Sequence, residues 1–374
     1  MPCKCKLWHS TQVHIDNNRC QIMISNVAGG RLYKQIKNRL NDCYEKIHQS
    51  GDWIDGIYCR SVEEKLKKIT GRKHARILNS ATSSLMVALL SWDIRNKKVA
   101  CSNYSYVASA SQAALINNVE FTDIDNNGLI SLDDNFDHDA VIPVSLYGNT
   151  IDYDNLKIGD HTKVIVDCAQ SLGAKYKGKP DGSFGDAAVF SFARNKPIPT
   201  AGTHGAIVWD DNDMTDMIKA VSNNGKLGRT SNIRAYGINA IPMELQAAQI
   251  DIGLDHIDEW QNKRESIHEH YTGEFEHLPL QIIQSNEHCD SNYHKFAMLV
   301  DDRNGLRDYL MRFDIQALEH YTDNFAEFFD GKDKRNDFPN TNNFCKKILT
   351  LPNHAWMTDA EIETVAQKVK DFYK

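Results

Sequence analysis

Five short apolar runs constrain the fold of this chain more than any other feature. They are "KVACSN" (Lys98–Asn103), "VEFTDID" (Val119–Asp125), "AVIPVSLYG" (Ala140–Gly148), "KVIVD" (Lys163–Asp167) and "AAVFSF" (Ala187–Phe192). Each reads as a strand with an apolar interior rather than an alternating one. A strand of that kind must be covered on both faces. Helical stretches such as "SSLMVALLSW" (Ser83–Trp92) and "SYVASASQAALINN" (Ser105–Asn118) lie between them. The order predicts an α/β domain with a mostly parallel sheet.

The pattern changes after Pro242. Ala247, Ile250, Leu254 and Ile257 fall at helical spacing, and the helix is expected to run on towards Tyr271. "FAMLVDD" (Phe296–Asp302) reads as a later strand. The C-terminal "TDAEIETVAQKVKDFYK" reads as an amphipathic helix, with Thr358 and Glu361 at capping-box spacing. The expected division is a large domain with its N-terminal arm over residues 1–245, and a smaller α+β domain over residues 246–374.

Composition narrows the function. A net charge of −7 argues against a nucleic-acid surface. No apolar run is long enough to cross a bilayer, and the first residues lack the apolar stretch of a secretion signal. The nine cysteines are an odd number without a C-x-x-C pair, which suits reduced thiols. A cytoplasmic protein is the expectation. Cys3 and Cys5 stand close together, but no second pair at zinc spacing follows, so no metal is expected there.

Several motifs tempt and are read as structural. "GAKYKGKP" (Gly173–Pro180) misses the phosphate-binding loop motif because Pro180 stands where Ser or Thr must hold magnesium. It is expected to be a hairpin with Gly178 at its turn. "DIDNNGLISLDD" (Asp123–Asp134) has calcium-loop spacing, but Asp134 is a short twelfth ligand and a strand precedes the loop. "IHEHY" (Ile267–Tyr271) places two histidines on different sides of a helix, as on a solvated face.

In open α/β sheets, ligands sit beyond the carboxyl ends of the strands. That rule directs attention to Asn103–Tyr106, Ser145, Asp167–Gln170 and Ser191–Lys196. Lys196 follows a buried strand and is succeeded by prolines and glycines. A free lysine, with a pKa of about 10.4, is a poor nucleophile; burial lowers that value and frees the lone pair, most often for a Schiff base with a carbonyl. Asp167 ends another apolar strand, where it is placed to pair with a protonated ring nitrogen. Tyr106 is placed to stack on a flat ring. "NSATSS" (Asn79–Ser84) opens a helix whose free N–H groups suit a phosphate. Ring, phosphate and carbonyl together describe pyridoxal 5′-phosphate, PLP.

The chain resembles the DegT/DnrJ/EryC1/StrS family of PLP-dependent nucleotide-sugar aminotransferases. The resemblance rests on "LNSATSSLMVALL", "NYSYVASASQAAL", "VIPVSLYGN", "VIVDCAQSLGAKYKGKPDGSFGDAAVFSFARNK", "YGINAIPMELQAAQ" and "IQALEHYT", in order from roughly residue 50 onward. It implies the type I aminotransferase fold, with a mixed, mostly parallel seven-stranded sheet in the large domain. It implies that Lys196 joins the cofactor covalently, that Asp167 meets the pyridinium nitrogen and that Gln170 meets the ring hydroxyl. Tyr106 would stack, and Thr82, Ser83 and Ser191 would cradle the phosphate. Asn239 would reach the phosphate from the partner of a homodimer, and His320 and Tyr321 would lie near the sugar. The implied substrates are L-glutamate and a nucleotide-linked keto-deoxy-sugar, with "SFARNK" favouring a 4-keto-6-deoxy-hexose. A 3-keto sugar, or a catalytically silent regulatory or sugar-binding protein of this fold, is the alternative.

The chain also departs from the family. "GTHG" (Gly202–Gly205) replaces a usual Gly-Glu-Gly-Gly one position earlier, Ile241 a common arginine, Ser145 a usual histidine, and Ala81 a glycine of the phosphate turn.

Overall fold

The structure, a computed structural model, describes residues 23–132, 137–228, 232–330 and 337–374. Cys3, Cys5 and Asp134 lie outside the described residues. Among the described residues the elements begin with α1 (Gly29–Ser50), α2 (Ile57–Thr70), β1 (His74–Leu78), α3 (Ala81–Ser91), β2 (Lys98–Ser102), α4 (Ala108–Ala114) and β3 (Asn118–Thr122). It continues through β4 (Ala140–Ile142), β5 (Lys163–Asp167), β6 (Lys175–Tyr176), β7 (Lys179–Pro180), β8 (Ala187–Ser191) and β9 (Gly205–Trp209). Then come α5 (Met214–Val221), α6 (Glu244–Leu254), α7 (Ile257–Phe275), β10 (Gln281–Ile282), β11 (Cys289–Asp290) and β12 (Phe296–Leu299). The last elements are α8 (Arg303–Met311), α9 (Phe325–Asp330), α10 (Pro339–Lys347), β13 (Ile348–Leu351) and α11 (Asp359–Phe372).

Among the described residues, seven strands form one sheet in the order β1-β9-β8-β5-β4-β2-β3. The pairs from β8 to β3 are parallel, and β9 alone runs against its neighbours. Because side chains alternate across a strand, successive residues feed two cores. Ile77, Ala100, Val141, Val166, Phe190 and Val208 face a core that also receives α1, α2 and α6. Leu78, Val99, Ile142, Ile165, Val189 and Ile207 face the other, shared with α3, α4 and α5. The expected double cover is therefore present. A third core joins β12 and β13 to α7, α8 and α11, and takes in Ile24, which pairs with Ile315. No helix among the described residues is long and apolar enough to cross a membrane.

Three local expectations differ from what the structure shows. The fourth strand stops at Ile142 because Pro143 has no N–H for the ladder; Val144 regains only an isolated bridge to Asp167. The long helix after Pro242 breaks at Asp255–His256, where amides bond three residues back to Ile252 and Gly253. The Asp255 carboxylate is held there by Arg39 and Lys65. His268 is packed against Tyr293 and Phe296 rather than solvated.

The hairpin and helix-cap readings hold. Lys175–Pro180 is a two-residue hairpin, with positive φ at Lys177 and Gly178. That φ pair is the turn the strand twist favours and Gly adopts without a Cβ penalty. Thr358 and Glu361 form the reciprocal capping box of α11. In the calcium-like segment, Asp123 accepts the Asn340 and Thr341 amides at the start of α10, and Asp125 accepts those of Asn127 and Leu129. Asp123 thus ties the segment to α10, and Asp125 fastens the turn itself.

Candidate active site

The carboxyl ends of β2, β4, β5 and β8 open onto one cavity of about 410 Å³. Thr82, Tyr106, Asp167, Gln170, Ser191, Lys196, His320 and Tyr321 all line it. These residues span some two hundred and forty positions of chain, and the parallel winding brings them together. Ser83 sits just behind the wall, its hydroxyl 2.9 Å from that of Ser80. Asn239 does not reach this cavity; it is exposed, with its carbonyl accepting from Asn79.

Lys196 rides on the loop between β8 and β9. Phe192 N–H donates to His204 O and Thr200 N–H to Phe192 O, so the loop is closed at its base. Within it, Lys196 N–H bonds to Ala193 O at 3.0 Å, making a tight turn. Prolines 197 and 199 are buried beyond it. This arrangement explains the composition after the strand: the amine must stand off the sheet edge on a backbone that cannot rejoin it. Burial lowers the Lys196 pKa to about 8, and Asp167 opposes that shift.

Asp167 ends β5, which pairs directly with β8. Its carboxylate accepts from Ser109 Oγ at 2.6 Å and from Ala169 N–H at 3.0 Å. Burial pushes this carboxyl up, while Ser109, Ala169 and the charge of Lys196 pull it back. A buried carboxylate in this state gains from a cationic partner. Gln170 is fixed by its neighbours: Oε1 accepts from Tyr147 N–H and Nε2 donates to Tyr321 Oη. The Tyr106 and Tyr321 rings stand 6.0 Å apart at the mouth.

The opposite end of the cavity is the start of α3. Ser80 caps it, its Oγ accepting from Ser83 N–H and its carbonyl from Ser84 N–H. The amides of Ala81 and Thr82 are left without intrahelical acceptors and with the positive end of the helix dipole. Ala81 keeps a negative φ, so alanine serves where the family has glycine. Gly205 is indispensable here for another reason. A Cβ on it would lie 2.3 Å from Ala81 N, so the first residue of β9 and the helix start touch backbone to backbone.

Several contributors escaped the sequence reading. Ser109 orients Asp167, and nothing in "SYVASASQ" singles it out. Ser80 was legible as the N-cap preceding a buried helix. His204, in the altered "GTHG", is fully buried and lowered in pKa by burial; Nδ1–H donates to Thr203 O and Nε2 accepts from Met243 N–H. It therefore ties the lysine loop to the start of α6. Thr350 Oγ1 donates to Leu318 O, which leaves it to accept from His320 Nδ1–H at 2.8 Å. That bond leaves Nε2 bare, and burial with Lys295 and Lys196 holds His320 neutral, at a pKa of about 3.

The donor set fits PLP. An amine and a carboxylate act on each other across one cavity, a helix start faces it, and an aromatic ring flanks it. No cluster of metal-ligating side chains occurs among the described residues.

Comparison with known proteins agrees. The model of the DegT/DnrJ/EryC1/StrS aminotransferase family matches residues 34–370. A dTDP-3-amino-3,6-dideoxy-alpha-D-galactopyranose transaminase of Aneurinibacillus thermoaerophilus is 27% identical, over 91% of this chain and 96% of its own. A UDP-4-amino-4,6-dideoxy-N-acetyl-beta-L-altrosamine transaminase of Campylobacter jejuni is 30% identical, over 83% of this chain and 90% of its own. The crystal structure of S. venezuelae DesV superposes with a TM-score of 0.89 at 22% identity, over 94% of this chain and 99% of that one, which shows the shared fold. The chain is thus an aminotransferase whose cofactor is PLP, and it belongs to the DegT/DnrJ/EryC1/StrS aminotransferase family.

Proposed function

We propose that the protein moves an amino group from L-glutamate to the keto group of a nucleotide-linked deoxy-sugar, a 4-keto-6-deoxy-hexose. The observation that carries this reading is the one cavity lined by Lys196, Asp167, Gln170 and the start of α3. Relatives named for 3-amino and 4-amino sugars support the substrate class, and "SFARNK" supports position C4.

When bound, PLP supplies an electron-accepting ring and a carbon that carries the amino group between two substrates. The chain's own residues do the rest. Lys196 would hold the cofactor and, once released, move a proton at the substrate carbon; a pKa near 8 keeps both its forms available close to neutrality. Asp167, fixed by Ser109 and Ala169, would keep a proton on the ring nitrogen. Gln170 would meet the ring hydroxyl, Tyr106 would cover a ring face, and Thr82, Ser83 and Ser191 would take the phosphate. His320 and Tyr321 would face the sugar. Asn239 would serve the partner's site in a homodimer. In support, Trp53, Ile54 and Met243 form an exposed apolar patch, Ile54 pairing with Met243.

The test is spectroscopic. The purified protein is expected to show a yellow cofactor band that L-glutamate bleaches and 2-oxoglutarate restores. Assays with UDP-, dTDP- and GDP-linked 4-keto and 3-keto sugars then identify the acceptor. A band indifferent to every amino donor defeats the proposal, and turnover only with 3-keto sugars corrects its position.

A further inference from the structure

Lys196 lines a second cavity as well, also of about 410 Å³, on the side away from Asp167. Its walls come from the N-terminal segment, α1, the lysine loop, α7, the start of β12 and the turn before α11. Two buried cations line it. Lys295 is 7% exposed and makes no ion pair or side-chain hydrogen bond among the described residues. Arg264 is 4% exposed; its Nε donates to Asn292 O and its Nη1 to Pro197 O, but Nη2 has no partner. No aspartate or glutamate among the described residues lines this cavity. Asn26 and Asn353 line it too, and the side-chain oxygen of each is buried without a partner.

Buried cations persist in proteins when something neutralises them. Here no carboxylate among the described residues lines the cavity; burial lowers Lys295 to about 7, with the charges of Lys196 and Arg264 adding to the shift, and burial lowers Arg264 to about 10. A neutralising group would come from outside, and would be small enough for the cavity. Orphan amide oxygens beside orphan cations suit a molecule that carries both an acid and an ammonium group. Lys196, common to both cavities, is where such a molecule would meet the cofactor.

We propose that this second cavity is a carboxylate subsite, in which Lys295 and Arg264 hold an acid group of the amino donor while its amine faces Lys196. The inference rests on the donor chemistry proposed above. The same pair of cations would also suit the carboxylate of a sugar acid, and the experiment separates the two sources.

Glutarate is the probe, because it has the two acid groups and no amine to react. It is titrated calorimetrically into the full-length holoenzyme, into Lys295→Met and into Lys295→Arg. The expected result is a loss of about 10- to 100-fold in affinity for Lys295→Met and near-recovery in Lys295→Arg, as befits a charge-assisted hydrogen bond. The thermal midpoint of Lys295→Met is expected to equal or exceed the wild type, since an unneutralised buried charge is removed; a purely structural lysine would lower it. In turnover, a raised KM for L-glutamate alone assigns the acid group to the donor. A raised KM for a uronate-linked acceptor alone assigns it to the sugar. Unchanged glutarate affinity in Lys295→Met, alongside a wild type that glutamate bleaches, overturns the subsite and spares the aminotransferase reading. A wild type that no donor bleaches, but that still binds glutarate through Lys295, does the reverse.

Discussion

On one side of Lys196 the buried charges are matched inside the protein. Asp167 has Ser109, Ala169 and the lysine itself, and Gln170 is held between Tyr147 and Tyr321. On the other side, Lys295 and Arg264 sit at similar depth with no acid to meet them. The first cavity is organised before any ligand arrives, down to the tautomer of His320. The second is left electrostatically incomplete. Preorganisation suits a group that stays bound through many cycles, whereas a deficit suits one that must enter, neutralise and leave.

Removing the lysine amine that both cavities share has the largest expected effect. Lys196→Ala is expected to lose the yellow band and about 10⁴-fold or more in turnover, measured with glutamate and acceptor at saturation. A retained band in that variant would break the comparison outright. Next comes Asp167→Ala, with an expected loss of about 10- to 10³-fold in the glutamate half-reaction. That figure follows from the one to three pKa units an adjacent opposite charge imposes on a partner. Glutarate binding in the second cavity should survive this change.

Gly205→Ala tests the far end of the first cavity. Its Cβ would collide with Ala81 N, so a loss of about 1–3 kcal/mol in unfolding free energy is expected, together with weaker retention of the cofactor. Denaturant titration and absorbance after dialysis measure the two.

The last test is a pH dependence of the cofactor-free protein. Lys295 and Lys196 have folded pKa values below the unfolded value, at about 7 and about 8. Between those values and about 10.5 the unfolded chain binds protons that the folded chain refuses, so stability should rise with pH across that window. In Lys295→Met the rise should shrink. Saturating glutarate should flatten its lower part in the wild type only. His268, His320 and His354, buried and lowered to about 4, 3 and 4, add a separate loss of stability as pH falls below about 6.5.

The two cavities also differ in how much of them could be read from the chain. The first was nearly all legible. Its residues stand just past continuous apolar strands, and the sheet rule alone selects Tyr106, Asp167, Gln170, Ser191 and Lys196. Strand β4 ended early at Pro143, a limit that proline's missing N–H announces. The helix break at Asp255 was not announced, because neither Asp255 nor His256 is a proline or glycine and the cations that hold Asp255 there come from α1 and α2. The second cavity was illegible for the same kind of reason. Asn26, Arg264, Lys295 and Asn353 share no local pattern, and they meet only when the N-terminal segment pairs with Ile315 and the third core closes. The one local hint was Lys295 itself, a cation set directly against the apolar run "FAMLV".

The closed loop between β8 and β9 has a dynamic consequence. The same hairpin carries the reactive amine at its tip and presses Gly205 against the amides of α3 at its root. A cofactor spanning those two points would clamp the hairpin along its whole length. Backbone amides of Phe192, Thr200 and the β9 residues should therefore slow their exchange with deuterated solvent as one cooperative unit when the cofactor is loaded.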